Sequence, residues 1–186
     1  MLKGFRTKEL VFIALMAALA FIIALVLGVG INAITATPML GGLVINLFFA
    51  FLLVLFALII RKFGAIILLT LIYSLLSVPT INLGPPGFYK ILIAVFIGLF
   101  MEIVLLVGQR KKIAYYMAVS FGFVLAIPLM IWIMNFLGLP GVDKLAPIMS
   151  IVMIIYFIEG IIGSWLAFIA YDKKLKNSAL VKRLTS

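Results

Sequence analysis

Residues Met39 to Ile60 read MLGGLVINLFFAFLLVLFALII, a run with no charged residue. At about 1.5 Å of rise per residue such a run covers the roughly 30 Å of a bilayer's hydrocarbon core as an α-helix. It ends on Arg61-Lys62, and a second apolar run, GAIILLTLIYSLLSVPTI from Gly64 to Ile81, begins two residues later. Two apolar runs joined by a short basic link predict a helical hairpin in a membrane. Working outward, the same pattern recurs at Glu9 to Ile31, Gly87 to Val107, Ile113 to Phe136 and Pro147 to Tyr171. Membrane β-strands would show segments of alternating polarity, and none is present, so helices are the remaining spanning form. The expected fold is an all-α, six-helix transmembrane bundle forming one domain over residues 1–186, with the third span the shortest.

Composition agrees with this assignment. Apolar residues make up 67% of the 186 and charged residues 11%, and the mean hydropathy is +1.42. Soluble domains carry roughly a quarter charged residues. The N-terminal Lys3, Arg6 and Lys8 followed by an apolar run are similar to the start of a signal peptide. That run continues well past Ala20, too long for a cleaved segment, and is expected to remain as the first helix.

The fifteen basic residues set the expected orientation. Thirteen lie in the N-terminal tail, at Arg61-Lys62, at Arg110 to Lys112 and in the C-terminal tail; Lys90 and Lys144 fall on the other side. Basic residues in short loops resist translocation, which predicts both termini in the cytoplasm of a multi-pass cell-membrane protein. This topology accounts for the net charge of +10 without a nucleic-acid partner. The opposite links, Asn32 to Pro38, Asn82 to Gly87 and Leu137 to Ala146, are rich in Gly, Pro, Asn and Thr. They suit either a lid over an outward pocket or tight hairpin connections.

With no Cys and no His, the chain has no disulfide, thiolate nucleophile, imidazole metal site or Ser-His-Asp triad, so neither an enzyme, a metal site nor a cofactor is expected. It also lacks the GxxxxGK[ST] loop that cradles nucleotide phosphates, so energy for any transport has to come from a partner or a gradient.

Two of the five acidic residues, Glu102 and Glu159, fall inside predicted spans, where an uncompensated charge is costly. Glu159 lies twelve residues past Pro147, about 18 Å along a helix and near the midplane. Glu102 stands about 10 Å from the basic edge, within reach of Arg61, Lys62 or Arg110 to Lys112 as structural partners. The outer half also holds Asn46, Tyr89, Lys90, Trp132, Asn135 and Tyr156. With Glu159 they are expected to line an external cavity for a small polar ligand, aromatic or anionic in character. Tyr89 and Trp132 equally suit an interfacial aromatic belt, and Asn46 and Asn135 suit bonds between helices. Small residues recur at helical spacing at Ala14 and Ala18, at Ala114, Ala118, Gly122 and Ala126, and at Gly160, Ser164 and Ala167. Such stripes let helix backbones approach closely, within the chain or against a partner.

The opening RTKELVFIALMAALA, Arg6 to Ala20, with its Ala14-x-x-x-Ala18, and the closing EGIIGSWLAFIAYDKKLKN, Glu159 to Asn177, resemble the substrate-binding S components of energy-coupling factor (ECF) vitamin transporters. The resemblance in length, helix number and basic links extends over nearly the whole chain. It implies a subunit that captures a vitamin or related micronutrient outside the cell. It further implies a transmembrane coupling subunit and two cytoplasmic ATPases as partners, with Ala14 and Ala18 contacting the coupling subunit. The absence of His sets the chain apart from the branch that imports cobalt and nickel. The alternative is a membrane scaffold resembling the rod-shape protein MreD, which would need no outward polar pocket. A redox membrane subunit is disfavoured by the lack of Cys and His.

Overall fold

A computed structural model describes residues 4–35, 38–80, 85–139, 146–179, 181 and 184. It contains six principal helices: α1 (Thr7–Thr35), α2 (Pro38–Ile59), α3 (Ala65–Ser77), α4 (Tyr89–Val107), α5 (Lys112–Phe136) and α6 (Met149–Ala170). A 3₁₀ turn, Ala146–Ile148, leads into α6, and a π-helical turn, Tyr171–Leu175, follows it. Five of the six are long and apolar enough to cross a membrane, and α3 is shorter. The expected spans match closely, except that α3 ends at Ser77; the expected end at Ile81 lies outside the described residues. Parts of the three Gly- and Pro-rich links also lie outside them.

The helices close into a ring in the order α1, α2, α6, α5, α4, α3 and back to α1. Lipid is as apolar as leucine, so close packing and hydrogen bonds rather than burial from water hold such a ring together. Glycine makes the close approaches. A Cβ on Gly163 would lie 2.6 Å from the Ala50 Cβ and 2.9 Å from the Phe51 nitrogen, which marks where α6 meets α2. A Cβ on Gly160 would lie 2.6 Å from the Ser120 Cα, which marks where α6 meets α5. Gly122 on α5 admits the Met101 side chain of α4, and Gly98 on α4 admits Thr70 and Ile67 of α3. The small-residue stripes of α5 and α6 are therefore packing surfaces within the chain. That of α1 is not: Ala14 is exposed and Ala18 half-buried, whereas Ile13, Ala17, Ala20 and Ala24 face the interior.

Basic residues collect at one end of the ring. There Lys62 pairs with Glu9 at 2.6 Å and also donates to the Gly4 carbonyl. Glu102, fully buried, accepts the Ile66 amide at 2.9 Å and pairs with Arg110 at 3.2 Å. Its carboxylate thus sits at the N-terminus of α3, where free amides and the helix dipole favour an anion. This is the structural partnership with the basic cluster that its depth suggested. Lys112 lies over the Phe168 ring, 5.1 Å from its centre, and ties α5 to the end of α6.

Packing differs between the two halves of the ring. Every residue from Leu52 to Ile60 is buried, so the basic-end half of α2 is enclosed by protein on all faces. Toward the opposite end no residue from Gly42 to Phe49 on α2, nor from Met149 to Ile158 on α6, is buried. Dense packing along this seam begins at Ala50 and Glu159.

Candidate functional site

At that boundary the Asn46 amide donates to the Glu159 carboxylate, Nδ2 to Oε2 at 2.7 Å. Asn46 lies eight residues into α2 and Glu159 ten into α6, about 12 and 15 Å from the helix starts and so at middle depth. Glu159 is 8% exposed and Asn46 half-buried. The neighbouring small residues explain the contact, because Gly160 and Gly163 bring α6 against both α5 and α2 at this level. The two polar side chains, 113 residues apart in the chain, are thereby set within bonding reach.

An aromatic chain crosses the interior at the same depth. The Tyr156 ring, one turn before Glu159, meets Phe123 of α5 edge-on at 6.5 Å between centres. Phe123 lies parallel to Phe49 of α2 at 6.3 Å, and Phe49 tilts against Tyr73 of α3 at 4.6 Å. Tyr73 in turn meets Phe21 of α1 edge-on at 6.3 Å. Five helices thus contribute to a layer of rings above the packed half, with the Asn46–Glu159 pair at its α2–α6 margin. Ring faces carry negative potential and ring edges positive, so such a layer offers both apolar area and directed electrostatics.

The other residues expected at this site lie elsewhere. Lys90 is fully buried and donates to the Ser77 carbonyl at 2.9 Å and the Thr80 carbonyl at 2.5 Å. Expected as a ligand-facing cation, it instead caps the end of α3, where unpaired carbonyls and the dipole favour a positive charge. Tyr89 is buried against Ile93, Ile133 and Met134, and its hydroxyl donates to the Pro85 carbonyl at 2.7 Å. Trp132 is 65% exposed and stacked on the exposed Phe136, so it faces outward from the ring as an interfacial aromatic does. Asn135 is also exposed, close to the end of α5. The structure therefore brings together Asn46, Tyr156 and Glu159, and does not bring Lys90, Tyr89, Trp132 and Asn135 to them. Phe21, Phe49, Tyr73 and Phe123 were not singled out from sequence. One signal was available for Phe49, which lies one turn past Asn46.

A cavity of about 310 Å³ opens between α5 and α6, lined by Ile113, Tyr116, Met117, Ser120, Phe157 and Ile161. Its walls are apolar apart from Ser120.

These features define a multi-helix membrane protein with a polar pair and a ring layer at middle depth. Among solved structures the chain is similar to one described as the crystal structure of an S-component of an ECF transporter. The match covers 98% of this chain and 94% of the other, with a TM-score of 0.62 and 22% identity. No family model matches the chain, and no curated protein matches it significantly. The fold is that of an ECF-transporter S component.

Proposed function

We propose that the chain is the substrate-binding subunit of an ECF-type importer, taking up a vitamin or similar small micronutrient. The observation that carries this reading is the likeness in fold to an S-component over nearly the whole chain. The Asn46–Glu159 pair beside a layer of rings supports it, since small-ligand sites combine apolar walls with a few placed polar groups. Asn46, Tyr156 and Glu159 are the proposed ligand contacts, with Phe49, Tyr73 and Phe123 as the floor. A coupling subunit and two ATPases supply the energy, and the exposed Ala14 with its neighbour Ala18 forms the surface for the coupling subunit. No comparison favours the scaffold alternative.

The test is chemical. The purified chain is extracted with organic solvent and its co-purified small molecules are identified by mass spectrometry, then returned to ligand-free protein in calorimetry. A stoichiometric ligand that rebinds is the expected result. Folded protein that neither retains nor binds any small molecule would sink the reading.

The proposed orientation places the basic end in the cytoplasm. Because the chain has no Cys, single cysteines report without background. A cysteine at Leu137, exposed at the end opposite the basic residues, is expected to react with a membrane-impermeant maleimide in intact cells. One at the exposed Lys111 is expected to react only after lysis. The reverse pattern would invert the topology.

A further inference from the structure

Three carboxylates among the described residues lie in the membrane helices, and they are compensated differently. Glu9 has the Lys62 ammonium at 2.6 Å, and Glu102 has the Arg110 guanidinium at 3.2 Å together with a backbone amide. Glu159, 8% exposed, has the Asn46 amide. An amide hydrogen bond orients a carboxylate and satisfies one lone pair, but it brings no opposite charge. Burial of an ionised group is costly unless a charge partner compensates it.

Among the described residues, the basic side chains nearest the ring are committed elsewhere. Lys90 is held by the Ser77 and Thr80 carbonyls. Arg110 and Lys62 are engaged at the basic end, and Lys112 lies over Phe168. Among the described residues no Lys or Arg pairs with Glu159.

Next to this carboxylate stand aromatic rings. Tyr156 is one turn away on the same helix, and Phe123, Phe49 and Tyr73 continue the layer. A carboxylate beside a layer of aromatic rings is a combination suited to an organic cation, since ring faces attract positive charge. An anionic ligand would bring a second negative charge beside the first in a medium of low dielectric, where like charges repel strongly.

Resting on the reading of the chain as a substrate-binding subunit, we infer that its ligand is an organic cation, with positive charge on or beside a planar ring. Glu159 is the counter-ion, Asn46 holds that carboxylate in place, and the rings of Tyr156, Phe123 and Phe49 supply the remaining wall. The outer half of the α2–α6 seam, where packing is loose, is the way in. Among vitamin-sized molecules this selects ring-nitrogen cations and ring-bearing amines and excludes carboxylate-bearing ones.

The test uses the full chain in nanodiscs, freed of co-purified ligand, and calorimetry against a charge-graded panel. Thiamine and 1-methylnicotinamide are the cations, nicotinamide and riboflavin the neutral rings, and nicotinate and pantothenate the anions. A cation is expected to bind tightest. Glu159→Gln, which keeps shape and hydrogen bonding but removes the charge, is expected to weaken that binding about 100-fold or more, while Glu159→Asp keeps it within about tenfold. Tightest binding by a neutral or anionic probe, or equal affinity in Glu159→Gln, would overturn the inference and leave the binding-subunit reading standing. So would an anionic co-purified ligand, whose charge mass spectrometry reads on the unmutated chain even where a variant fails to fold. Folded protein that binds no probe and retains no ligand would overturn both.

Discussion

Tryptophan at Ala14 or Ala18 is expected to abolish uptake by cells that carry the complete transporter, while ligand affinity of the isolated chain stays within about twofold of wild type. The reason is the direction these side chains face. Ile13, Ala17, Ala20 and Ala24 are 0 to 3% exposed and pack inside the ring, whereas Ala14 is exposed and Ala18 half-buried. Flanked by the exposed Leu10, Val11, Leu15 and Ile22, the two alanines form a shallow strip on which another helix can lie closely. Indole on that strip holds a partner helix off by several ångströms, while the Asn46–Glu159 pair lies at the α2–α6 seam. Uptake assays paired with co-purification of the coupling subunit decide the matter. Wild-type uptake by both variants would remove this face from the partner surface.

Leucine at Gly163 is expected to produce a large loss of stability, on the order of 3 kcal/mol or more. Even a Cβ there would stand 2.6 Å from the Ala50 Cβ, 2.9 Å from the Phe51 nitrogen and 3.0 Å from the Leu47 carbonyl oxygen. Two of those three neighbours are backbone atoms, which cannot swing aside as a side-chain tip does. α6 has to back away from α2, taking Glu159 out of reach of Asn46 and, with it, the proposed ligand site. Gly42→Ala is the control, since a Cβ there meets nothing within 4 Å and the substitution is expected to be neutral. Thermal unfolding in detergent reads both, and equal melting of Gly163→Leu and wild type would refute the packing argument.

The helices were legible because the bilayer imposes a length on every span and places charge at the ends of most. Arg61-Lys62 and Arg110 to Lys112 marked links to within a few residues, and the breadth of α1, α2, α5 and α6 followed from their uninterrupted apolar runs. Depth was legible for the same reason, which is why Glu159 was placed near the midplane and Glu102 near the basic cluster.

Rotation about each helix axis was not legible. In water a helix shows its inner face by being apolar there, but in lipid both faces are apolar, so Phe49 inside and Phe136 outside look alike in sequence. Trp132 and Lys90 were misplaced by this ambiguity: one turned out to lie on the outer surface, the other to be consumed by the end of a neighbouring helix. Small residues were the better guide to interior faces. Gly122, Gly160 and Ala167 are all buried at contacts, and only the α1 stripe pointed away from the bundle.

The brevity of α3 has a consequence for the bilayer itself. Thirteen residues span about 20 Å, some 10 Å less than the hydrocarbon thickness, while its ring neighbour α1, at 29 residues, reaches about 43 Å. In a bilayer of that thickness, lipid along the α3 edge has to thin to match the helix, whereas lipid along the α1 edge does not. That mismatch acts as a lateral force couple, relieved when the bundle tilts toward its short side. Acyl-chain length thereby becomes a variable that sets the resting tilt of the protein in its membrane, independent of ligand and of any partner.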